Sequence, residues 1–374
     1  MKYFPIKFHV AYIIITLFIS FYGPRVYVDY NFLPVSIFIF FYLVAVSTGF
    51  YLGFNSKVKI SRYKPNNKYL IKLFKYSLYI TMFIFVLNTA YQFSTGSLSL
   101  DILNMGAHYG DYYKNYYEKK EHQLITIELI FLVAGAIPKF ITLTLGFFML
   151  DQLPRKYKIY FFSTIFMIVL TQTISSGNQK SIGDIFIIGA IAAGVKIYKI
   201  KPKKRRKLIR KLLVLSFFFF VLLSYSQYSR LSSRDITIFE LNSYMADYSY
   251  YDINHPIFSI FGYKIGLGIS TFVTGYLSGG YYGLSKCMEL PFEWTYGIGN
   301  SVALSSISDM LFGTDIYSKT YLYRMDETFG IPGKRAWHTA FPWLASDLSF
   351  WGVPLFFFDS FILLWKKLER DFGL

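Results

Sequence analysis

The sequence predicts an all-α polytopic membrane protein, organised as a single integral membrane domain over residues 1–374. Of its 374 residues, 54% are hydrophobic and only 16% are charged, whereas a soluble domain carries about 25% charged residues. Apolar runs of about 20 residues recur, and a helix of that length crosses the roughly 30 Å hydrocarbon core of a bilayer. The one cysteine, Cys287, excludes an intrachain disulfide and a cysteine-rich metal site.

About eight apolar runs are predicted to span the bilayer. They cover residues 8–22, 33–52, 70–93, 124–150, 159–174, a run that ends near 195, then 212–228 and 340–365. Residues 229–339 form a long helical segment between spans 7 and 8. Its apolar part, Ile257–Cys287, is interrupted by Gly and Lys residues. This pattern predicts helices that lie on the membrane surface or dip into it, although a hidden pair of spans would leave the orientation unchanged.

The basic residues lie mainly in alternate connections. Ten Lys or Arg residues occur between Lys196 and Lys211, and other groups precede span 1 and follow spans 2, 4 and 8. Because cytoplasmic loops carry an excess of Lys and Arg, both termini are predicted to be cytoplasmic and residues 229–339 to be on the outer side. The net charge of +17 is thereby assigned to topology and to contact with anionic membrane lipid, and not to nucleic acid.

Two lysines are candidates for binding an anionic substrate. Lys139 follows Pro138 inside span 4, where a charge is costly and often functional. It either faces an internal cavity that receives an anionic head group or satisfies a neighbouring helix. Lys180 lies in the polar turn Ser175–Asp184. It either pairs with Asp184 one helical turn later or offers its ammonium group to a phosphate at the helix N-terminus.

Further candidates lie in the outer segment. Arg230 and Arg234 follow span 7, on the side where few cations are expected. Tyr281 belongs to a Gly- and Tyr-rich run over residues 274–284. Tyrosine rings in this segment either stack on sugar rings or form an aromatic belt at the membrane interface.

The most concentrated group of polar residues is the stretch 321–352, at the entrance to span 8. Guanidinium groups bind diphosphate through paired hydrogen bonds, and an imidazole or a carboxylate can take a proton from a sugar hydroxyl. The candidates here are Arg324, Arg335, Trp337, His338 and Asp347. The sequence contains no paired Asp-x-Asp motif or His cluster that suggests a metal site.

Three places in the chain resemble the Wzy-type O-antigen polymerases, which polymerise oligosaccharide repeat units. The first is the Gly-Asn-Gln-Lys turn at 177–180. The second comprises Tyr-Leu-Ser-Gly-Gly-Tyr-Tyr-Gly-Leu-Ser at 276–285 and the following residues 291–301. The third is Tyr323-Arg324, followed by Trp-His-Thr-Ala-Phe-Pro-Trp-Leu-Ala-Ser-Asp at 337–347 and by Gly352.

The resemblance implies a multi-pass lipid-to-sugar glycosyltransferase of the bacterial inner membrane, with residues 229–339 in the periplasm. Its substrate would be an undecaprenyl-diphosphate-linked oligosaccharide. It would use no metal or other cofactor, and a chain-length regulator is a possible partner. By this resemblance His338 is the general base, with Asp347 as the alternative base. Arg324 and Arg230 hold the diphosphate with Lys139 or Lys180.

Two other functions remain open on the sequence. A flippase or other transporter of lipid-linked oligosaccharide is expected to bury charges along most spans and to have short loops, unlike this chain. An O-antigen ligase would share the chemistry and differ only in its acceptor.

Overall fold

The computed structural model describes residues 3–55, 67–101, 127–177, 179–199, 202–232, 237–245, 248–331, 333 and 339–372. The chain forms two compact units, one of residues 1–64 and 238–374 and the other of residues 65–237. Within the described ranges, seven helices are long and apolar enough to cross a membrane. An all-α polytopic membrane protein is therefore confirmed, while the single-domain organisation with its 229–339 segment stays a prediction.

The elements are as follows, in chain order. The unit of residues 1–64 and 238–374 contains α1 (Phe4–Tyr22), β1 (Arg25–Tyr27), α2 (Phe32–Asn55), α8 (Ile238–Tyr244), β2 (Ser249–Tyr251), α9 (Pro256–Ser270, continued by a π-helix over Thr271–Ser278), α10 (Gly280–Met288), α11 (Val302–Phe312), α12 (Ile316–Lys319), α13 (Tyr321–Phe329) and α14 (Ala340–Phe372). The unit of residues 65–237 contains α3 (Asn67–Ser94), α4 (Ile127–Phe148), α5 (Arg155–Ile168, continued by a π-helix over Val169–Ser175), α6 (Lys180–Lys199) and α7 (Pro202–Ser232).

Helices occur at all eight predicted spans, but their apolar character differs from the prediction. Six predicted spans are among the seven long apolar helices, whereas spans 4 and 6 are not. The seventh is Pro256–Ser278, which the sequence had assigned to the membrane surface. It is not one straight rod, because Gly262 adopts a non-helical conformation with φ of 72°. A Cβ atom on Gly266 would lie 2.8 Å from the Phe258 ring, so the residues before the break fold back against those after it.

The chain after Gly262 crosses the end of α1 and α2 at which these two helices are connected. Tyr281 Oη lies 2.9 Å from Thr16 Oγ1, and Ser285 Oγ donates to the Asn31 carbonyl at 3.1 Å. The connection between α1 and α2 contains β1, which pairs in antiparallel register with β2. The contacts of residues 281–285 therefore lie at the predicted outer end of this hairpin.

Span 8 corrects the sequence prediction, because it is two helices and not one. Ser349 has φ of 61° and breaks α14. The rings of Phe341 and Phe357 lie 6.4 Å apart, whereas 16 residues of straight helix would separate them by about 24 Å. Both rings contact Tyr42, near the middle of α2. Residues 340–348 thus form a re-entrant half-helix, folded back against the rest of α14.

The second half of α14 packs closely along α2 and runs in the same direction. Phe350 lies beside Phe38. A Cβ atom added to Gly49 would meet the Phe358 carbonyl oxygen at 2.5 Å, and one added to Gly53 would meet the Ile362 carbonyl oxygen at 2.8 Å. Small residues four positions apart allow the backbones of two membrane helices to approach closely, which increases their van der Waals contact.

In the unit of residues 65–237, a small core joins α3, α4 and α5. Its buried residues are Phe74, Leu78, Leu143, Leu153 and Phe161. Hydroxyl groups also join α3 to α4, since Thr142 Oγ1 lies 3.1 Å from both Thr81 Oγ1 and Ser77 Oγ. These bonds satisfy polar groups that apolar surroundings would otherwise leave unpaired.

The glycine contact between α2 and α14 gives a first test. We expect Gly49→Ala and Gly53→Ala each to destabilise the protein by about 1–3 kcal/mol, because the added methyl group meets backbone atoms that cannot rotate away. Thermal unfolding of the purified protein in detergent measures the change. Gly194→Ala in α6 is the matched control, since its Cβ would meet nothing within 4 Å. Equal unfolding temperatures for all three variants would contradict the close packing.

Candidate functional site

The largest concentration of polar groups inside the unit of residues 65–237 surrounds a cavity of about 600 Å³. Lys139 reaches it from α4, and Lys180 and Asp184 reach it from the first turns of α6. The cavity thus collects both lysines that the sequence singled out, although 40 residues separate them. Lys139 is close enough to Asp184 and Lys180 to interact electrostatically with both.

Gln172 organises the polar end of this cavity. Its Oε1 accepts from Lys139 Nζ at 3.3 Å and from Ser181 Oγ at 2.5 Å. Gln172 belongs to the π-helical continuation of α5, a widened helical turn that is frequent at functional sites. The two readings of Lys139 are therefore both realised, because its ammonium group lines a cavity and also satisfies a neighbouring helix.

Gln92 is a cavity-lining residue that the sequence analysis missed. It is 7% exposed, and its Nε2 donates to the Thr171 carbonyl at 3.4 Å. Its Oε1 is buried and has no hydrogen-bond partner, a state that costs about 1–3 kcal/mol. A bound molecule or water that donates to this oxygen would remove the cost. The signal available in the sequence was an amide side chain inside an apolar run.

The rest of the cavity wall is apolar. Side chains from α3, α4 and α6 form it, namely Ile84, Phe85, Phe131, Phe140, Leu143, Ile187, Ile188 and Ile191. The cavity is therefore amphipathic, with two ammonium groups and one carboxylate at its polar end. That arrangement suits a ligand with an anionic head and an apolar chain.

Arg230 contributes to the same unit by holding the turn before α6. Its Nη2 donates to the Gly177 carbonyl at 2.5 Å, and Gln227 Nε2 donates to Gln179 Oε1 at 2.8 Å. Gly177 has φ of 64°, a left-handed conformation that glycine adopts without strain. The end of α7 thereby fixes the start of α6, from which Lys180 projects.

In the other unit, Arg324 on α13 has structural partners. Its Nη1 donates to Glu293 Oε1 at 2.8 Å and its Nε donates to the Lys319 carbonyl at 3.2 Å. The guanidinium group also lies 5.1 Å from the centre of the Tyr321 ring. Nη2 is buried and has no hydrogen-bond partner. A substrate role for Arg324 would use this nitrogen or would exchange Glu293 for an anion.

Asp347 is buried at the end of the re-entrant half-helix and accepts several hydrogen bonds. The backbone N–H groups of Gly299 and Asn300 donate to its two carboxylate oxygens, each at 2.9 Å, and Thr295 Oγ1 lies 2.5 Å from Oδ1. These bonds tie the loop over residues 295–300 to the half-helix. The role of Asp347 as a base stays a prediction, and its observed contacts are those of a loop anchor.

Tyr281 lines a second, smaller cavity of about 250 Å³, together with Thr16 of α1 and Thr339 before the half-helix. Burial raises the pKa of Tyr281 to about 12, while the hydrogen bond with Thr16 acts in the opposite direction. The phenol is therefore protonated at neutral pH. Since Thr16 Oγ1 lies within 3.1 Å of the carbonyl of Ile13 and donates within its own helix, the Tyr281 hydroxyl is the donor in the bond between them.

Four predicted site residues lie outside the described part of the chain: Arg234, Arg335, Trp337 and His338. Their roles stay predictions. His338 immediately precedes Thr339, which lines the smaller cavity. Within the described ranges, no group of three or more His, Cys, Asp or Glu side chains could hold a metal ion.

The contacts of Asp347 give a test that separates anchoring from catalysis. We expect Asp347→Ala to lower the free energy of unfolding by about 3 kcal/mol, because it leaves two buried N–H groups without acceptors. Thermal unfolding measures this, with Asp326→Ala on the exposed side of α13 as the control. A variant that unfolds like the wild type yet transfers no glycan would instead assign Asp347 to the chemistry.

Comparison of the chain with models of known protein families, with curated proteins and with solved structures found no match. A proposal for its function is therefore based on its own residues and on the sequence resemblance described above.

Proposed function

We propose that the protein is a glycosyltransferase of the bacterial inner membrane that polymerises lipid-linked oligosaccharide repeat units into O-antigen or a related surface polysaccharide. The observation that carries the proposal is the amphipathic cavity with Lys139 and Lys180. An undecaprenyl-diphosphate donor has an anionic head and a long apolar chain. The polar end of the cavity matches the first, and its Ile- and Phe-lined wall matches the second.

In this proposal the two lysines act on the leaving group. As the glycan leaves its lipid carrier, the bond between its anomeric carbon and the diphosphate oxygen breaks, and negative charge develops on the diphosphate. Ammonium groups stabilise that charge where water is excluded. The acceptor hydroxyl of a new repeat unit attacks the anomeric carbon and gives its proton to a base, for which His338 is the candidate by resemblance.

Deleting the gene tests the proposal directly. We expect the deletion strain to carry single repeat units on its surface glycolipid in place of long chains, seen as the loss of the ladder when the glycolipid is separated by size. Restoring the gene should restore the ladder. Unchanged chain lengths in the deletion strain would refute the polymerase proposal.

The cavity lysines give a second test. We expect Lys139→Met and Lys180→Met each to reduce polymerisation of lipid-linked repeat units in proteoliposomes about ten- to a hundredfold, because a charge-assisted hydrogen bond is worth about 1.5–3 kcal/mol. Methionine keeps the length of the side chain, so packing changes little. Lys207→Met on the exposed face of α7 is the control. Full activity of both cavity variants would place the diphosphate elsewhere.

A transporter of lipid-linked oligosaccharide is the second candidate, favoured by the same charged cavity among apolar helices. The two functions differ in what the deletion strain accumulates. A missing polymerase leaves repeat units exposed on the outer leaflet, whereas a missing transporter leaves them on the inner leaflet. Labelling of intact spheroplasts with a membrane-impermeant lectin distinguishes the two locations.

A further inference from the structure

The re-entrant half-helix Ala340–Leu348 begins inside the fold, beside the smaller cavity. Phe341 lies 4.9 Å from Tyr42 between ring centres, near the middle of α2. The cavity also touches Tyr12 and Thr16 of α1, which lie about 9–15 Å along the helix axis from the end of α1 at Tyr22. The cavity is therefore at membrane depth on its α1 side. Backbone that is not helical is tolerated at that depth only when it is buried in protein or lines a watery cavity.

The cavity has the lining of a site for a neutral, hydroxyl-rich molecule. None of the described residues that line it carries a charge. Rings are supplied by Tyr12, Tyr276, Tyr281 and Phe341, and hydroxyl groups by three of those tyrosines with Thr16 and Thr339. Binding pockets for small molecules combine aromatic walls with a few placed polar groups in this way.

Two donors or acceptors in this cavity have capacity to spare. Thr339 Oγ1 is buried and has no hydrogen-bond partner. The Tyr281 hydroxyl uses its proton on Thr16, which leaves its oxygen able to accept from a ligand. The first N–H groups of the half-helix, from Ala340 onward, have no partner within the helix. A ligand that carries several hydroxyl groups can satisfy all of these.

Size and access narrow the class of ligand further. A volume of about 250 Å³ is close to the lower limit of ordinary ligand pockets, so it holds one ring and not an oligosaccharide. Tyr12, at its rim, is 46% exposed. The absence of a cation in the described lining disfavours a phosphate, whose charge would be buried without a partner.

We propose that this cavity binds a single neutral sugar ring, with a ring face on the tyrosines and its hydroxyl groups on Thr339, Tyr281 and the start of the half-helix. Taken with the proposed function, which it rests on for its biological role, the cavity holds one residue of a lipid-linked glycan beside the segment that contains His338. The sugar binding itself requires no catalytic activity.

Binding of free methyl glycosides to the full-length protein in nanodiscs tests the proposal. Saturation-transfer NMR is recorded with the methyl glycosides of glucose, galactose, mannose and N-acetylglucosamine. We expect saturation of the ring protons of at least one of them. Thr339→Val should weaken its binding about five- to tenfold, as expected for the loss of one hydrogen bond.

A cavity-filling variant provides the sharper comparison. Ala340 lines the cavity and is exposed, so Ala340→Phe places a ring where the sugar would lie and should abolish the ring-proton signal. Ala134→Phe is the matched control, because Ala134 is exposed on α4 and lines neither cavity. Thr144→Val is the control for Thr339→Val, since its hydroxyl is likewise buried without a partner.

The outcomes decide between this site and its competitors. No signal from any glycoside with the wild type, or an unchanged signal in Ala340→Phe, overturns the sugar site. A signal from dimethyl phosphate that Ala340→Phe removes, with none from the glycosides, would make it an anion site. Sugar binding together with normal chain lengths in the deletion strain would retain the site and refute the polymerase. Loss of long chains without sugar binding would do the reverse.

Discussion

The close approach of α2 and the second half of α14 determines the arrangement of the unit of residues 1–64 and 238–374. Gly49 and Gly53 bring the two backbones together, so that no side chain fits between them. Because that half of α14 is held along α2, the break at Ser349 sends residues 340–348 back beside Tyr42. The half-helix therefore begins near the middle of α2, and the small cavity lies at its start.

Polar groups in apolar surroundings are paired in both units, and the pairing shapes each site. In one unit Gln172 accepts from Lys139 and Ser181. In the other, Asp347 accepts from the backbone of the loop that follows Thr295. Each pairing also removes freedom from a segment of chain, since an unpaired buried group would cost free energy. Gln92 Oε1 and Thr339 Oγ1 are exceptions, and both line cavities.

The predicted site was only partly assembled by the fold. Arg324 and Asp347 were predicted as members of one cluster because they are close in sequence. The structure gives them separate partners, Glu293 for the first and residues 295–300 for the second. Lys139 and Lys180 were predicted independently, yet they line the same cavity. Sequence distance is a poor guide here because helix packing, and not chain proximity, selects the neighbours.

By itself, the sequence determined the fold class, the positions of the eight helical runs and the presence of charges inside them. Those follow from composition and run length, which act locally and are limited by the thickness of the bilayer. Only the tertiary structure decided that α14 folds back at Ser349, that Gly266 receives Phe258, and that Gln92 and Gln172 complete a cavity with two lysines. These features depend on contacts between residues far apart in the chain. A hydropathy pattern sums residues along one segment and carries no information about what packs against it.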